Sequence, residues 1–347
     1  MSSRRAYKRF FLSALAILSL LALVVGSFNY FIDPMWCFKH AHRLNSVQIE
    51  INDRQQKSNY FKFRGGTYDT LMIGNSRVRM IGHQEFGPRT FNYALSGMIA
   101  KEYLPYIRYA KKLNGQDFRQ LVLGLSFEAA NAKIPYYSGE PPSYYIESVE
   151  DPYYLPSMLF NGGVFKRAVG NVRHSLRHDL TMYFDRDNVQ RVNRNRVHFD
   201  EQLKVDLNNK FMHEGFQYLG EYRSILESIR KENPATKILV FTPPVSKQLF
   251  CSMVQRGQLP DYEKWLRDVV EVFGEVQHFD YLNSVTLDPR RYFLDGQHMY
   301  PETGTLVAHK ILGIPDPALP QDFGILVTKS NLDATLKTIE ATAQLCR

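Results

Sequence analysis

The stretch Asp69-Thr-Leu-Met-Ile-Gly-Asn-Ser-Arg77 decides the fold, because a short apolar run ends abruptly there at a serine. Residues 71–73 predict a buried strand, and Gly74 permits a tight backbone turn that projects Ser76 from the sheet edge. Parallel α/β sheets place their chemistry at the carboxyl ends of their strands. Taken alone, the stretch is also typical of a strand that ends in an ordinary turn.

The same pattern of strand and turn recurs along the chain. A second apolar run at residues 90–97 ends in glycine, residues 101–113 have helical periodicity, and residues 120–125 form a third apolar run. Strand, helix and strand with short connections predict an α/β fold with a central parallel sheet. Later helices are predicted at residues 217–232 and 261–273, and later strands at residues 237–241 and 276–279.

The N-terminus has the pattern of a membrane anchor. A basic cluster at residues 4–9 precedes an uncharged stretch at residues 10–32, and about 20 apolar residues suffice to span a bilayer. Basic residues stay in the cytoplasm, so the rest of the chain is predicted to lie outside. A cleaved signal peptide is the rival interpretation, but the apolar run continues past Gly26 and favours an uncleaved transmembrane helix.

The sequence predicts a single-pass protein of the bacterial inner (cytoplasmic) membrane, with its folded part facing the periplasm or the cell exterior. The absence of any Asn-x-Ser/Thr acceptor favours a bacterial envelope. The predicted segments are a cytoplasmic stub at residues 1–9, the transmembrane anchor at 10–32, a stalk at 33–60, an α/β domain at 61–312 with an insertion at about 130–210, and a C-terminal tail at 313–347.

Composition excludes several classes of protein. A hydrophobic content of 44% excludes a disordered chain. The net charge of +8 is accompanied by no nucleic-acid motif, so it indicates membrane proximity or an acidic substrate rather than DNA or RNA. Three cysteines allow at most one disulfide within the chain, for which Cys251 and Cys346 are the candidates.

The insertion contains two unusual segments. Its first part is rich in Tyr and Pro, which suits either an aromatic wall for sugar rings or, as we favour, a loop pinned by its own aromatics. Residues 166–210 are basic, which favours a solvated helical face over a contact with an anionic polymer or lipid headgroups. His174 and His178 stand beside Asp179 at a metal-ligand spacing, but no third ligand is identifiable and no metal site is predicted.

Asp295 and His298 form the only Asp-x-x-His pair of the sequence. The spacing lets a carboxylate reach an imidazole nitrogen within one tight turn. The pair follows the last predicted strand of the α/β domain and precedes its last helix, so it belongs to the same sheet edge as the serine.

In their order along the chain, these motifs resemble the SGNH (GDSL-type) hydrolase superfamily over residues 69–312. Gly74-Asn75-Ser76 matches the nucleophile block, the run that ends in Gly97 matches the block of the oxyanion-hole glycine, and Asp295-Gly-Gln-His298 matches the last block. Gly124-Leu-Ser-Phe-Glu128 departs from the third block, which is Gly-x-Asn-Asp. The anchor makes membrane-bound relatives in exopolysaccharide O-acetylation and teichoic-acid D-alanylation the closer likeness.

The resemblance implies a three-layer α/β/α sandwich of SGNH/flavodoxin-like type and acyl transfer through a serine. Ser76 would be the nucleophile, His298 its base, and Asp295 the group that orients the imidazole. The backbone N–H groups of Ser76 and Gly97 would form the oxyanion hole, with Ser126 as the replacement third donor.

Asn75 and Arg77 flank the serine and are predicted to contact substrate. The predicted function is a membrane-anchored, extracytoplasmic serine esterase or O-acyltransferase that acts on an envelope or exported glycan without cofactor or metal. Its predicted partners are the membrane, the acylated polymer and a multipass membrane acyltransferase, with no nucleic acid. The alternative is a non-catalytic SGNH-like glycan-binding or scaffolding subunit of a membrane acylation or export complex.

Overall fold

A computed structural model describes residues 2–209 and 215–346 of the 347-residue chain. The chain divides into two compact units, each built from two separate segments. Unit 1 contains the described residues up to Gly65 together with Tyr145–Asp187. Unit 2 contains Gly66–Tyr144 and the described residues from Asn188 onward.

The described residues form eight strands and fifteen α-helices. The strands are β1 Thr70–Ile73, β2 Thr90–Asn92, β3 Gln120–Gly124, β4 Met182–Phe184, β5 Gln190–Val192, β6 Lys237–Thr242, β7 Glu275–His278 and β8 Ile325–Thr328. The helices are α1 Ser2–Ile32, α2 Asp53–Arg64, α3 Ser76–Arg79, α4 Ala100–Asn114, α5 Pro142–Glu150, α6 Tyr154–Leu159, α7 Gly162–Arg177, α8 Phe199–Leu207, α9 Tyr222–Lys231, α10 Lys247–Gln255, α11 Leu259–Phe273, α12 Ser284–Leu287, α13 Pro289–Tyr292, α14 Pro301–Leu312 and α15 Leu332–Ala343.

Unit 2 is organised by a six-stranded sheet in the order β2-β1-β3-β6-β7-β8. All neighbouring pairs are parallel except β7 and β8, which are antiparallel. Leu71, Met72 and Ile73 are fully buried, as expected for a strand covered on both faces. The predicted α/β class with a mostly parallel sheet is therefore confirmed. From β1, the chain adds β2 on one side of the sheet and then β3, β6 and β7 on the other side, so the strand order switches between β1 and β3. In open α/β sheets, ligands generally bind at such a switch point, outside the carboxyl ends of the strands.

Unit 1 begins with α1, whose residues Arg4–Ile32 form one helix long and apolar enough to cross a membrane. The segment that follows is folded rather than the stalk predicted for residues 33–60. Arg186 donates to the side chain and the backbone carbonyl of Asp33 at 2.5 and 2.9 Å, and most side chains of α2 are buried. The stalk prediction was wrong because these polar residues are satisfied by distant partners that local polarity does not reveal.

The insertion predicted at about 130–210 does not form one piece. Residues 145–187 belong to unit 1, whereas 130–144 and 188–209 belong to unit 2, and residue 210 lies outside the described residues. The tyrosines of this segment also differ in their burial. Tyr145 and Tyr154 are buried, which fits the loop pinned by its own aromatics, whereas Tyr137 and Tyr153 are exposed.

The predicted C-terminal tail adds to the sheet of unit 2. It contributes the edge strand β8 and then α15, which contacts α11. Cys346, just beyond α15, is disulfide-bonded to Cys251 of α10, so the predicted pairing is confirmed. The third cysteine, Cys37, is buried as a free thiol in unit 1.

Candidate active site

Ser76 lies at the carboxyl end of β1, where two strands approach closely. A Cβ atom on Gly74 would lie only 2.7 Å from the carbonyl oxygen of Gly124 at the end of β3, and 2.5 Å from the side chain of Val78. Only glycine fits that approach. The side chain of Asn75 then caps α3, so Ser76 is the first helical residue after the strand.

His298 connects the serine to a carboxylate. Its Nε2 lies 2.8 Å from Oγ of Ser76, and its Nδ1 lies 2.8 Å from Oδ2 of Asp295. Because a carboxylate only accepts hydrogen bonds, Nδ1 carries the proton and donates to Asp295. That leaves Nε2 free to accept from the hydroxyl of Ser76, which is the arrangement a general base requires.

The turn between Asp295 and His298 is held by the carboxylate itself. Oδ1 of Asp295 accepts from the backbone N–H groups of His298 at 2.6 Å and of Gln297 at 2.8 Å. Burial raises the pKa of Asp295, but the charge of His298 and these hydrogen bonds outweigh it, and the pKa lies below its ordinary value. Asp295 is therefore ionised at neutral pH and able to stabilise an imidazolium.

Asp206 of α8 also binds this turn, and no pattern in the sequence indicates this contact. Its Oδ2 accepts from the backbone N–H of Gly296 at 2.8 Å, and its Oδ1 accepts from the side-chain amide of Gln297 at 2.8 Å. Burial, and then the charge of Asp295, raise the pKa of Asp206. No local motif connects α8 with a turn some ninety residues later, so only the fold reveals this contact.

The predicted oxyanion-hole residues lie at the ends of neighbouring strands. The backbone N–H of Leu95 donates to the carbonyl of Gly74 at 2.9 Å, which continues the pairing of β2 with β1 towards Gly97. Gly97 has φ of +55°, in the left-handed region that favours glycine. Ser126 is buried after β3, and its hydroxyl has no hydrogen-bond partner among the described residues. Their role as donors stays a prediction.

Asn75 and Arg77, the predicted substrate contacts, are both buried and both bind Glu128. Nδ2 of Asn75 donates to Oε1 of Glu128 at 3.0 Å, and Nη2 of Arg77 approaches the same oxygen at 2.7 Å. Glu128 therefore ties the residues on either side of the serine to the end of β3. Their contact with substrate stays a prediction.

A cavity of about 40 Å³ lies among residues at the carboxyl ends of β1, β3, β6 and β7. Its polar lining includes Arg77, Glu128 and Asp280, and its apolar lining includes Phe127 and Phe216. Burial raises the pKa of Asp280 to about 7, against the lowering effect of the charge of Arg77. By size the cavity accommodates a few water molecules or a group as small as an acetyl.

The histidine pair of the insertion takes a different arrangement from a metal site. Nδ1 of His174 lies 2.5 Å from Oδ1 of Asp179, and this hydrogen bond lowers the pKa of Asp179. His178 ends α7 in a left-handed conformation. Over residues 2–209 and 215–346, no group of three or more His, Cys, Asp or Glu side chains is arranged to hold a metal ion.

The chain matches no protein-family model, no curated protein and no solved structure. Inference about its activity therefore depends on the geometry of the site. That geometry places three of the predicted residues, Ser76, His298 and Asp295, in one continuous chain of hydrogen bonds.

Proposed function

We propose that this protein is a membrane-anchored serine esterase or O-acyltransferase of the SGNH type, with the three-layer sandwich of that family. The observation that carries the proposal is the chain of hydrogen bonds from Ser76 through His298 to Asp295, with both contacts at 2.8 Å. Ser76 reaches the imidazole from the start of α3, more than two hundred residues away in sequence, whereas Asp295 belongs to the same turn as His298. A hydroxyl aligned with a base, and a base aligned with a carboxylate, are what nucleophilic acyl transfer requires.

In the proposed reaction, the triad acts in two steps, the acylation of Ser76 and the release of the acyl group. As Oγ of Ser76 attacks the ester carbonyl, its proton passes to Nε2 of His298. The same proton then goes to the departing alcohol, and an acyl group remains on Ser76. Water or a sugar hydroxyl next gives its proton to His298 and attacks the acyl group, which leaves Oγ as the proton returns. Asp295 keeps the imidazole oriented throughout.

An exposed aromatic beside the site supports a glycan as the acyl carrier. Tyr137 is 57% exposed, and its ring lies where a Cβ atom on Gly97 would meet it at 2.7 Å. Aromatic faces are common surfaces for the apolar side of a sugar ring. We therefore expect Tyr137→Ala to raise KM for an acetylated oligosaccharide about tenfold and to leave KM for a small acetyl ester nearly unchanged.

The location that we propose is the bacterial inner membrane, crossed once by α1, with unit 2 and the part of unit 1 that follows α1 on the outer side. The basic cluster at residues 4–9 supports this orientation because such clusters stay in the cytoplasm. A cysteine-reactive probe that does not cross membranes tests it. Ser2→Cys should be protected in intact spheroplasts, whereas Ser330→Cys should be labelled.

Labelling with a fluorophosphonate tests the nucleophile. The wild-type chain should be labelled, and Ser76→Ala should lose the label, while Ser330→Ala, at an exposed site in unit 2, should keep it. His298→Ala should reduce hydrolysis of a small acetyl ester by about 10⁴-fold or more. Labelling that persists in Ser76→Ala would remove the assignment. Retained polymer acylation in cells that carry Ser76→Ala would instead favour the non-catalytic subunit.

The fate of the acyl-enzyme separates an esterase from a transferase. With an acetyl ester and a deacetylated oligosaccharide present together, an esterase releases acetate at a rate independent of the sugar. A transferase forms an acetylated sugar at the expense of acetate. Mass spectrometry of both products, with Ser76→Ala as the blank, distinguishes the two.

A further inference from the structure

The register of α1 in a bilayer can be counted from its basic end. Charged residues end at Arg9, and a hydrocarbon core of about 30 Å takes about 20 helical residues. Counted from Arg9, the core therefore extends to about Asn29. A tilted helix needs more residues and would place Asn29 still deeper.

The exposed part of α1 is shorter than that. Its apolar side chains, apart from the half-buried Ala14, are exposed from residue 10 to residue 24, about 22 Å along the helix axis, and beyond that range only Tyr30 and Phe31 are exposed. From Val25 onward α1 is partly covered by other parts of unit 1. The last turns of α1 at hydrocarbon depth are thus packed against protein.

The covering element comprises α6, the turn that follows it and the first turns of α7, which we call the α6–α7 corner (residues 153–167). The ring of Phe160 lies over the backbone of Gly26, where a Cβ atom would be 2.8 Å from it. The rings of Phe28 and Phe165 are 5.0 Å apart. Because Gly26 is about three residues inside the counted core, the corner reaches the depth of the bilayer surface.

Backbone carbonyls in the corner accept hydrogen bonds from a side chain of α1 rather than depending on water. Nδ2 of Asn29 donates to the carbonyl of Leu159 at 2.8 Å and to that of Asn161 at 3.1 Å. The last carbonyls of a helix have no partner within it and usually bind water. Where water is scarce they need an internal donor, and Asn29, itself buried, supplies it.

The outer side of the corner has the composition of a membrane interface. Phe160 is 61% exposed and Tyr153 is 76% exposed. Lys166 and Arg167 are exposed in the first turns of α7. Aromatic rings favour the boundary between headgroups and acyl chains, and adjacent basic side chains extend to lipid phosphates.

We propose that the α6–α7 corner is a second membrane contact, seated in the leaflet that faces the folded part of the chain. Phe160 enters the acyl boundary beside Gly26, and Lys166 and Arg167 bind anionic headgroups. Unit 1 is thereby fixed in its tilt relative to the bilayer, which a single flexible connection would not achieve. This inference depends on the proposed anchoring by α1, and its test separates the two.

Tryptophan reporters in the full chain test the contact. Phe160→Trp, and separately Leu18→Trp in the middle of α1, are reconstituted in nanodiscs that contain anionic phospholipid. The acyl chains are unbrominated or carry bromine, near the head for Phe160→Trp and near the methyl end for Leu18→Trp. The native Trp36 and Trp265 are 2% and 0% exposed, so the wild-type signal is subtracted as background. Tyr153→Trp provides a second reporter in case Phe160→Trp does not fold.

Brominated lipid should quench the Phe160→Trp and Leu18→Trp emission about twofold relative to unbrominated lipid. Quenching at residue 18 without quenching at residue 160 or 153 would overturn the second contact and leave the anchor intact. Quenching at none of the three positions would overturn both. Replacing the anionic lipid by a zwitterionic one should weaken quenching at residue 160 and leave residue 18 unaffected.

Discussion

Asp206 accepts a hydrogen bond from the backbone N–H of Gly296 at 2.8 Å, so a carboxylate from α8 holds the middle of the turn that carries Asp295 and His298. The same carboxylate binds the side chain of Gln297. The position of this turn sets the alignment of His298 with Ser76. Small displacements of reacting groups reduce reaction rates strongly.

Asp206→Asn should reduce kcat for a small acetyl ester about tenfold with little change in KM, because the imidazole is less well held. The matched control is Asp200→Asn on the same helix, which loses only an exposed ion pair with Arg290 and should keep wild-type kcat. Steady-state kinetics of the two variants measure the effect. Equal kcat values in both would show that Asp206 does not position the triad.

Gly97→Ala should lower kcat by about 10²–10³-fold. The added Cβ atom requires an unfavourable positive φ and meets the ring of Tyr137 at 2.7 Å, so the backbone N–H turns away from the oxyanion. Gly115→Ala is the matched control, since it shares a positive φ but has no heavy atom within 4 Å of the new Cβ. Adding Tyr137→Ala to Gly97→Ala should restore part of the activity, and the prediction fails if Gly97→Ala alone is fully active.

Glu128→Gln should lower the free energy of unfolding of unit 2 by about 2 kcal/mol. The guanidinium of Arg77 is nearly fully buried and would lose its charged partner at 2.7 Å. Adding Arg77→Met, which removes the buried charge as well, should recover much of that loss. Denaturation followed by the emission of the buried Trp265 in a Trp36→Phe background measures both variants. A double variant no more stable than the single one would contradict the account.

Asp280→Asn should make unit 2 more stable relative to wild type as the pH rises from 5 to 8, by about 3 kcal/mol. Burial raises the pKa of Asp280 from 3.8 to about 7, so the folded state keeps a proton that the unfolded chain has released. The stability from that proton is present below about pH 4 and is lost as the pH rises through about 7. Asparagine has the same shape and no charge to bury.

Denaturation followed by Trp265 emission at pH 5 and pH 8 measures the effect of Asp280→Asn, with Asp117→Asn at an exposed position as the control. Parallel pH profiles for the wild type and Asp280→Asn would disprove the prediction.

The sequence correctly predicted the features that depend on residues close together in the chain. The apolar run at residues 71–73, the glycine after it and the Asp-x-x-His turn each specify a short piece of structure without help from distant residues, and each is in place. The pairing of Ser76 with His298 was implied by the resemblance to the SGNH superfamily, and it agrees with the rule that parallel strands share one functional edge. Counting cysteines limited the chain to one disulfide, and the candidate pair Cys251 and Cys346 is the one that forms.

Burial of polar residues was the feature that the sequence concealed. The helix α2 contains Arg54 and Lys57 among its fully buried side chains, which a pattern based on polarity assigns to solvent. Asp206 escaped notice for the same reason, because its partners are backbone and amide groups supplied by a distant turn. Such residues become recognisable only when the fold brings their partners together.

The ion pair between Asp33 and Arg186 joins the two chain segments of unit 1, so unit 1 can be completed only after both have been synthesised. The two residues are separated by 153 positions, and a chain made at about 5–20 residues per second needs roughly 8–30 s to supply the second after the first. The helix α1 is therefore synthesised long before unit 1 is complete. During that interval Asp33 and the polar face of α2 stay hydrated and open to chaperones. A chain that stops before residue 186 would contain α1 but would lack the arginine that pairs with the buried carboxylate of Asp33.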